Sequence, residues 1–466
     1  MNVLGLASRN LLRNRRRSLA TLMGIAIGSC ATLLFGGFKT NINHEMHTTH
    51  VRKDGHLQIQ HRDFFLYGSG NPAAYGISDQ AAIIDAIKQD VVLREMVKVI
   101  TPTLQFGGIA GNYSAGVSRT VIGHGQVADD VNQMRAWNEF GLRSVAKPSP
   151  LQNSAPDSAV VGVGVARVLQ LCDALKVANC QLPQIEKKPD GPAIPSDIAQ
   201  LSAMEQRETA SRSAHGGVAR IEVLAVNSRG APNVASLSVI AAEDQGIKEL
   251  DEVALLMHFR KLQQLVYGKL PAKATAIMIQ LERSDQIALA RSRLASILQK
   301  FSPDQPLTVL DFRELNPFFV QTVAMFDTIF GFVLALIGGI VLFTVSNTMN
   351  TTVVERTVEI GTLRALGLRR QGIVKLFVVE GSLLGLCGAA SGALAALVLA
   401  ATINMLSIPW LPPASVAEIP ITIALWGETR MILTTSIGLF LIATVSAFWP
   451  AMRAAKANIT DALRHT

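Results

Sequence analysis

The chain has 466 residues, of which 49% are hydrophobic and only 17% charged, with a formal net charge of +8. Soluble domains carry about 25% charged residues, so an ordinary soluble fold is excluded. The positive charge gathers beside apolar segments instead of forming a stripe of its own, which excludes nucleic acid as the partner.

Residues 1–17 read as a cytoplasmic amphipathic helix: Val3, Leu4, Leu6, Leu11 and Leu12 can face lipid while the arginines meet headgroups. The first of four uncharged windows follows, Leu19 to Phe38; the others run from Thr328 to Val354, Gly381 to Ala417 and Met431 to Met452. A bilayer span needs about 20 apolar residues. The windows therefore predict transmembrane helices at 18–39, 319–354 (with a stalk at its start), 376–403 and 431–452. "RNRRRSLATLMGIAIGSC" also resembles a signal peptide ending at Cys30, but the apolar run continues through "ATLLFGGF" to span length.

Residues 40–318 form a large domain between the first and second spans. It opens with "HEMHTTH", which places His44, His47 and His50 at i, i+3 and i+6. Two of them could share a metal on a helix, but the pattern is no zinc-protease motif, and a polar stalk is the plainer reading; no metal site is assigned. "GHLQIQ" (55–60) alternates like a strand, and "SDQAAIIDAIKQ" (78–89) is a helix with Ser78 as its cap. "VITPTLQFGGIA" and "SRTVIGHG" are strands around a turn, and "DSAVVGVGVARVLQLCDAL" a strand, a glycine turn and a helix. "ARIEVLAVNSRGAP" is a strand and a turn, "KELDEVALLMHFRKLQQLV" one amphipathic helix, "ATAIMIQLE" a strand and "DQIALARSRLASILQKF" a helix. Alternation of this kind indicates α/β layers. The Pro-, Ser- and Ala-rich stretch 181–217 reads as a flexible insertion. Cys172 and Cys180 lie close together in this domain and are candidates for a disulfide if it faces an oxidising compartment. The second span is led by Phe318, Phe319, Phe326 and Phe330, an aromatic row that makes a stalk or substrate surface.

Residues 355–375 are a charged segment between two apolar ones, 404–430 a short loop and 453–466 a tail. Residues 1–20 carry five arginines and no acid, 351–375 five cations and two acids, and 451–466 three cations and one acid, a net +10 that leaves −2 for the rest of the chain. Four spans put these three pieces on one side, and the positive-inside rule makes it the cytoplasm. Both termini are then inside, with 40–318 and 404–430 outside. No Gly-x-x-x-x-Gly-Lys-Ser/Thr loop occurs, "GVGVARVLQ" has no phosphate-reaching lysine, and no catalytic constellation stands out. Within 355–375, Arg356 and Glu359 pair at i, i+3, Val354, Val358, Leu363 and Leu366 can form an apolar edge, and Gly367 suits a helix C-cap. Such a segment faces water and suits docking of a soluble partner.

"NTMNTTVVERTVEIGTLRALGLRRQGIVKLFVVEGSLLGLCGAASG" resembles the permease domain of the MacB–FtsX–LolC/LolE superfamily, whose members pair with ABC ATPases. "ASRNLLRNRRRSLATLMGIAIG" and "WPAMRAAKANITDALRH" are similar to that family's ends. The resemblance implies an α-helical membrane protein with four transmembrane helices plus a large α/β periplasmic domain between the first and second helices, in the bacterial inner membrane. It implies that Glu355, Arg356, Glu359, Ile360, Leu363, Arg364, Ala365, Leu366 and Gly367 form a coupling helix seated on the ATPase. Two ATPase copies holding ATP and magnesium, a second permease chain, membrane lipid and a periplasmic carrier or adaptor are the implied partners, with no cofactor and no catalysis in this chain. The implied function is mechanotransmission, in which partner ATP hydrolysis moves the outer domain to extract or export a lipoprotein, lipid or other amphipathic substrate. The alternative is FtsX-like signalling to an outer partner such as a cell-wall hydrolase.

Overall fold

The computed structural model describes residues 3–143, 147–177, 180, 219–301, 305–411 and 418–456; the insertion at 181–217 lies outside them. The chain divides into two compact units, one of Met1–His44, Val320–Trp410 and Ile419–Thr466, the other of Glu45–Phe319 and Leu411–Glu418.

The first unit is helical. An amino-terminal helix, Val3–Arg13, is separated at Asn14 from the first long helix, Arg15–Asp54. The second, third and fourth long helices are Pro317–Glu355, Arg370–Leu406 and Thr429–Lys456, and all four are long and apolar enough to cross a membrane. The first and second outrun their apolar windows. The first continues through the polar run after Lys39 until Gly55, whose φ of +76° ends the helix. The third and fourth pack closely because small residues face each other. A Cβ on Gly385 would lie 2.7 Å from that of Ala443, and one on Gly388 would meet Ile25 of the first helix at the same distance. The core of this bundle includes Ile25, Val345, Phe377 and Leu439.

The second unit is built on a nine-stranded sheet in the order β3-β7-β4-β6-β5-β2-β8-β1-β9. The strands are β1 Leu57–His61, β2 Val97–Asn112, β3 Val117–Gln126, β4 Ser158–Gly162, β5 Arg220–Val226, β6 Pro232–Glu243, β7 Ala254–His258, β8 Ala276–Leu281 and β9 Leu307–Asp311. β2 serves two halves: it pairs with β8 from Val97 to Thr103, then with β3 from Leu104 and with β5 from Gly108. Each half has its own core. Leu57, Ile59, Ile277 and Ile279 pack against helices Gln80–Gln89 and Ile287–Leu298, while Val121, Val161, Leu255 and Leu262 fill the other.

Two local expectations fail. "KELDEVALLMHFRKLQQLV" is not one helix: Lys248–Asp251 is a single turn, Ala254–His258 is β7, and only Phe259–Tyr267 is the amphipathic helix. Leu255, Leu256 and Met257 are buried on both faces of a central strand between β3 and β4, and a short apolar run of that kind has no period to separate strand from helix. Ser78 is not a cap. The helix starts at Gln80 behind Asp79, whose φ is +53°, and the Ser78 N–H donates to Gln305 Oε1 at 2.9 Å. Strands β6 and β9 were not foreseen.

Candidate functional site

The charged segment after the second long helix folds as a short helix, Thr357–Ala365. Its end is fixed by Gly367 at φ +92°. The Leu368 N–H donates to the Leu363 carbonyl and the Gly367 N–H to the Arg364 carbonyl, both at 3.0 Å, the two bonds of a Schellman motif.

The charges here are bonded to the rest of the chain. Arg356 is 8% exposed and donates Nε to Glu359 Oε2 at 3.0 Å and Nη1 to Glu380 Oε1 at 3.2 Å. Glu380, on the third long helix and 2% exposed, also accepts from Asn10 Nδ2 at 2.7 Å. The guanidinium of Arg356 lies 6.0 Å from the Phe377 ring centroid. Arg13 Nη2 donates to Glu359 Oε1 at 2.6 Å, and Arg17 forms a two-pronged pair with Glu355. Burial works to raise the Glu359 carboxyl, but hydrogen bonds from Arg356 and Arg13 outweigh it and hold the group below its ordinary value. One buried ion pair is thus flanked by two exposed ones. The exposed pairs fix geometry more than they stabilise, and the buried pair tolerates no missing member.

This arrangement sorts the sequence-derived residues. Glu355 and Glu359 do not simply face water, because arginines of the amino-terminal region hold them. Arg356 and Ile360 point inward, and Leu363 and Arg364 are half-buried. Val354, Val358, Ala365, Leu366 and Gly367 remain exposed, with Leu366 at 80%. Asn10, Arg13, Arg17 and Glu380 were not foreseen as part of the site. A signal for two of them existed: Arg13 and Arg17 are four apart, as are Glu355 and Glu359, and they pair in reverse order.

The phenylalanine row does not act as one surface. Phe318 is 66% exposed, whereas Phe319 is buried against Phe312 at a centroid distance of 5.6 Å, and Phe330 stacks on Phe35 at 6.2 Å. Phe326 is half-buried. The histidines disperse as well. His47 stacks on Trp137, and its Nε2 lies 3.1 Å from Ser284 Oγ. His50 lies 3.8 Å from Asp54. Among the described residues no three His, Cys, Asp or Glu side chains gather as a metal site. Cys172 and Cys180 are joined by a disulfide with Cα atoms 5.6 Å apart, which a turn at Lys176 (φ +52°) permits.

The segment, the buried acid that anchors it, the third and fourth long helices and most of the second lie within residues 324–459, which match the FtsX-like permease C-terminal family. Similarity extends to named relatives. LolC of Xylella fastidiosa, a lipoprotein-releasing system transmembrane protein, is 25% identical over 50% of this chain and 56% of its own. The MacB macrolide export ATP-binding/permease protein of Bradyrhizobium diazoefficiens is 26% identical over 49% of this chain and 32% of its own. The chain is thus similar to the MacB/FtsX/LolC permeases, and its residues 324–459 carry the FtsX-like permease C-terminal match. An ABC transporter permease of Methanocaldococcus jannaschii is 29% identical over 41% of this chain and 46% of its own. The chain thus spans about half, or less, of the length of these relatives. The extracellular domain of the noncanonic ABC-type transporter YknZ from Gram-positive bacteria aligns with 55% of this chain and 99% of its own at 12% identity, with a TM-score of 0.28. The family match and the four long apolar helices together fit a membrane protein.

Proposed function

We propose that the chain is the membrane-spanning, non-catalytic subunit of an ABC transporter. In this reading a separate ATPase, present in two copies and holding ATP and magnesium, docks on the segment around Thr357–Ala365. A second permease chain completes the assembly in a bacterial inner membrane. ATP turnover drives the second unit, on the outer side, to extract or export a lipoprotein, lipid or other amphipathic molecule.

One observation carries this reading. The segment between the second and third long helices presents exposed Val358 and Leu366 while Arg356 bonds it to Glu380 inside the bundle. Force applied to the exposed edge therefore has a rigid path into two long helices, because the buried charge pair resists separation. Glu355, Arg356 and Glu359 are already bonded within the chain, so the apolar edge is what this part of the segment offers to a docking protein.

The test uses Val358→Asp and Leu366→Asp, in the full chain purified from its native membrane. Both are exposed, and surface changes alter stability by about 0.5 kcal/mol or less. Loss of an apolar anchor worth about 1.4 kcal/mol loosens docking tenfold. The variants are expected to insert normally while ATPase co-purification falls about tenfold or its turnover stops responding to cargo. Normal ATPase recovery with normal cargo-stimulated turnover in both variants would overturn the docking role.

A further inference from the structure

The second unit contains a cavity of about 200 Å³ that the coupling role does not use. Its floor is a polar lane across the sheet. On β1, Leu57 and Ile59 point into the core, so Gln58 and Gln60 point to the opposite face. Gln60 stands opposite Ala276 of β8, Ala276 stands opposite Thr103 of β2, and Gln105 of β2 stands opposite His124 of β3. Phe64 and Phe65 line one wall, and Asp54 and Asn316 complete it. Carboxamides, hydroxyls and an imidazole on one sheet face are a local conflict with burial, and such conflicts mark sites more often than they mark packing.

The polar groups are available. The Gln105 and His124 side chains make no hydrogen bond among the described residues, and buried Gln60 Oε1 accepts none. Gln58 and Gln60 bond each other at 3.2 Å, which orients both carboxamides but leaves each with unused capacity. Burial first, and nearby Lys53 second, push the His124 pKa down to about 4 against the pull of Asp54, so the imidazole is neutral at pH 7 with one donor and one acceptor. No lysine or arginine lines the cavity and one carboxylate does, so an anion has nothing to neutralise it. The β1 and β8 backbones that cross the cavity floor are already paired on both sides, so neither can read a peptide by strand addition.

We infer that this cavity binds one neutral sugar ring, its hydroxyls meeting Gln58, Gln60, Gln105, His124 and Asp54 and its apolar face lying on Phe64. The volume suits a single ring, since sites for drug-sized ligands run from about 300 to 1,000 Å³. The inference concerns the second unit alone and stands apart from the coupling role proposed above.

The experiment is saturation-transfer NMR on the full chain in phosphatidylcholine nanodiscs, which avoids detergents with sugar headgroups. The probes are N-acetylglucosamine and methyl glucoside, with glucuronate and N-acetylalanine amide as anionic and peptide controls. Transfer to at least one neutral sugar is expected, reduced about three- to tenfold in Gln60→Leu and Gln105→Leu at an unchanged unfolding temperature. Should Gln60→Leu fail to fold, the half-buried Gln105 position decides alone. Absence of transfer to either neutral sugar, equal transfer in the variants, or equal transfer to either control would overturn the assignment.

Discussion

A carboxylate within an apolar helix bundle is tolerated only with its partners in place, and Glu380 has two, Arg356 and Asn10. Removing the cation leaves a buried charge uncompensated, which costs about 3–5 kcal/mol. Arg356→Met is therefore expected to lower the thermal unfolding temperature of the purified chain sharply. Adding Glu380→Gln should restore most of the loss, because the neutral carboxamide still accepts from Asn10 and no longer needs a cation. A single variant that melts like the native chain would show that Glu380 is already neutral or hydrated in the bundle. The same residues change how charge reversals near the site must be read. Glu359→Lys would break bonds to Arg13 and Arg356 inside the chain as well as any contact with a partner.

At the scale of elements, the second unit, which begins at Glu45, holds its first ten residues to its sheet through rings and one hydroxyl. His47 lies 4.6 Å from Phe312 and 6.0 Å from Trp137, measured between centroids, and Trp137 lies 4.9 Å from His56. His56 Nδ1 accepts from the Leu281 N–H at 3.0 Å, so its proton is on Nε2, facing Ser284 Oγ at 3.3 Å; that hydroxyl donates to Glu139 at 2.6 Å. Burial first, and the neighbouring His47 second, push the His56 pKa from 6.5 down to about 3. The unfolded chain then binds this proton between pH 6.5 and about 3 while the folded chain does not. The stabilisation is fully present above pH 6.5 and is lost as pH falls toward 3. The unfolding temperature should drop over that window, and His56→Gln, which keeps an acceptor without a titrating ring, should flatten the drop. An equally steep drop in the variant would place the acid sensitivity elsewhere. The four long apolar helices were legible because uncharged windows of span length have few other uses, and Gly367 because a helix needs a left-handed stop. The histidines were not, since their partners Trp137, Ser284 and Phe312 lie far along the chain. β7 was misread because burial on both faces erases periodicity, and the role of Glu380 was hidden because only the fold brings it to its partner, Arg356.

For the whole molecule, the charge partition sets the topology to be tested. Three segments with a net +10 lie beside span ends, and the remainder of the chain sums to −2. The structure adds a physical constraint. Arg13 and Arg17 bond Glu359 and Glu355, so the amino-terminal region and the segment after the second long helix must share one side of the bilayer whatever that side is. Lys456 ends the fourth long helix and is exposed, and Ser69 is exposed in the second unit. With native thiols replaced, single cysteines at Ser69 and Lys456 are expected to react with a membrane-impermeant maleimide from opposite sides of intact cells and inverted vesicles. A third cysteine at Arg369, in the exposed turn before the third long helix, should behave like the one at Lys456. Labelling of Ser69 and Lys456 from one side would remove a span from the reading. If Arg369 reacted with Ser69 and against Lys456, the coupling segment would lie outside, away from ATP, and docking of an ATPase on Val358 and Leu366 would be untenable.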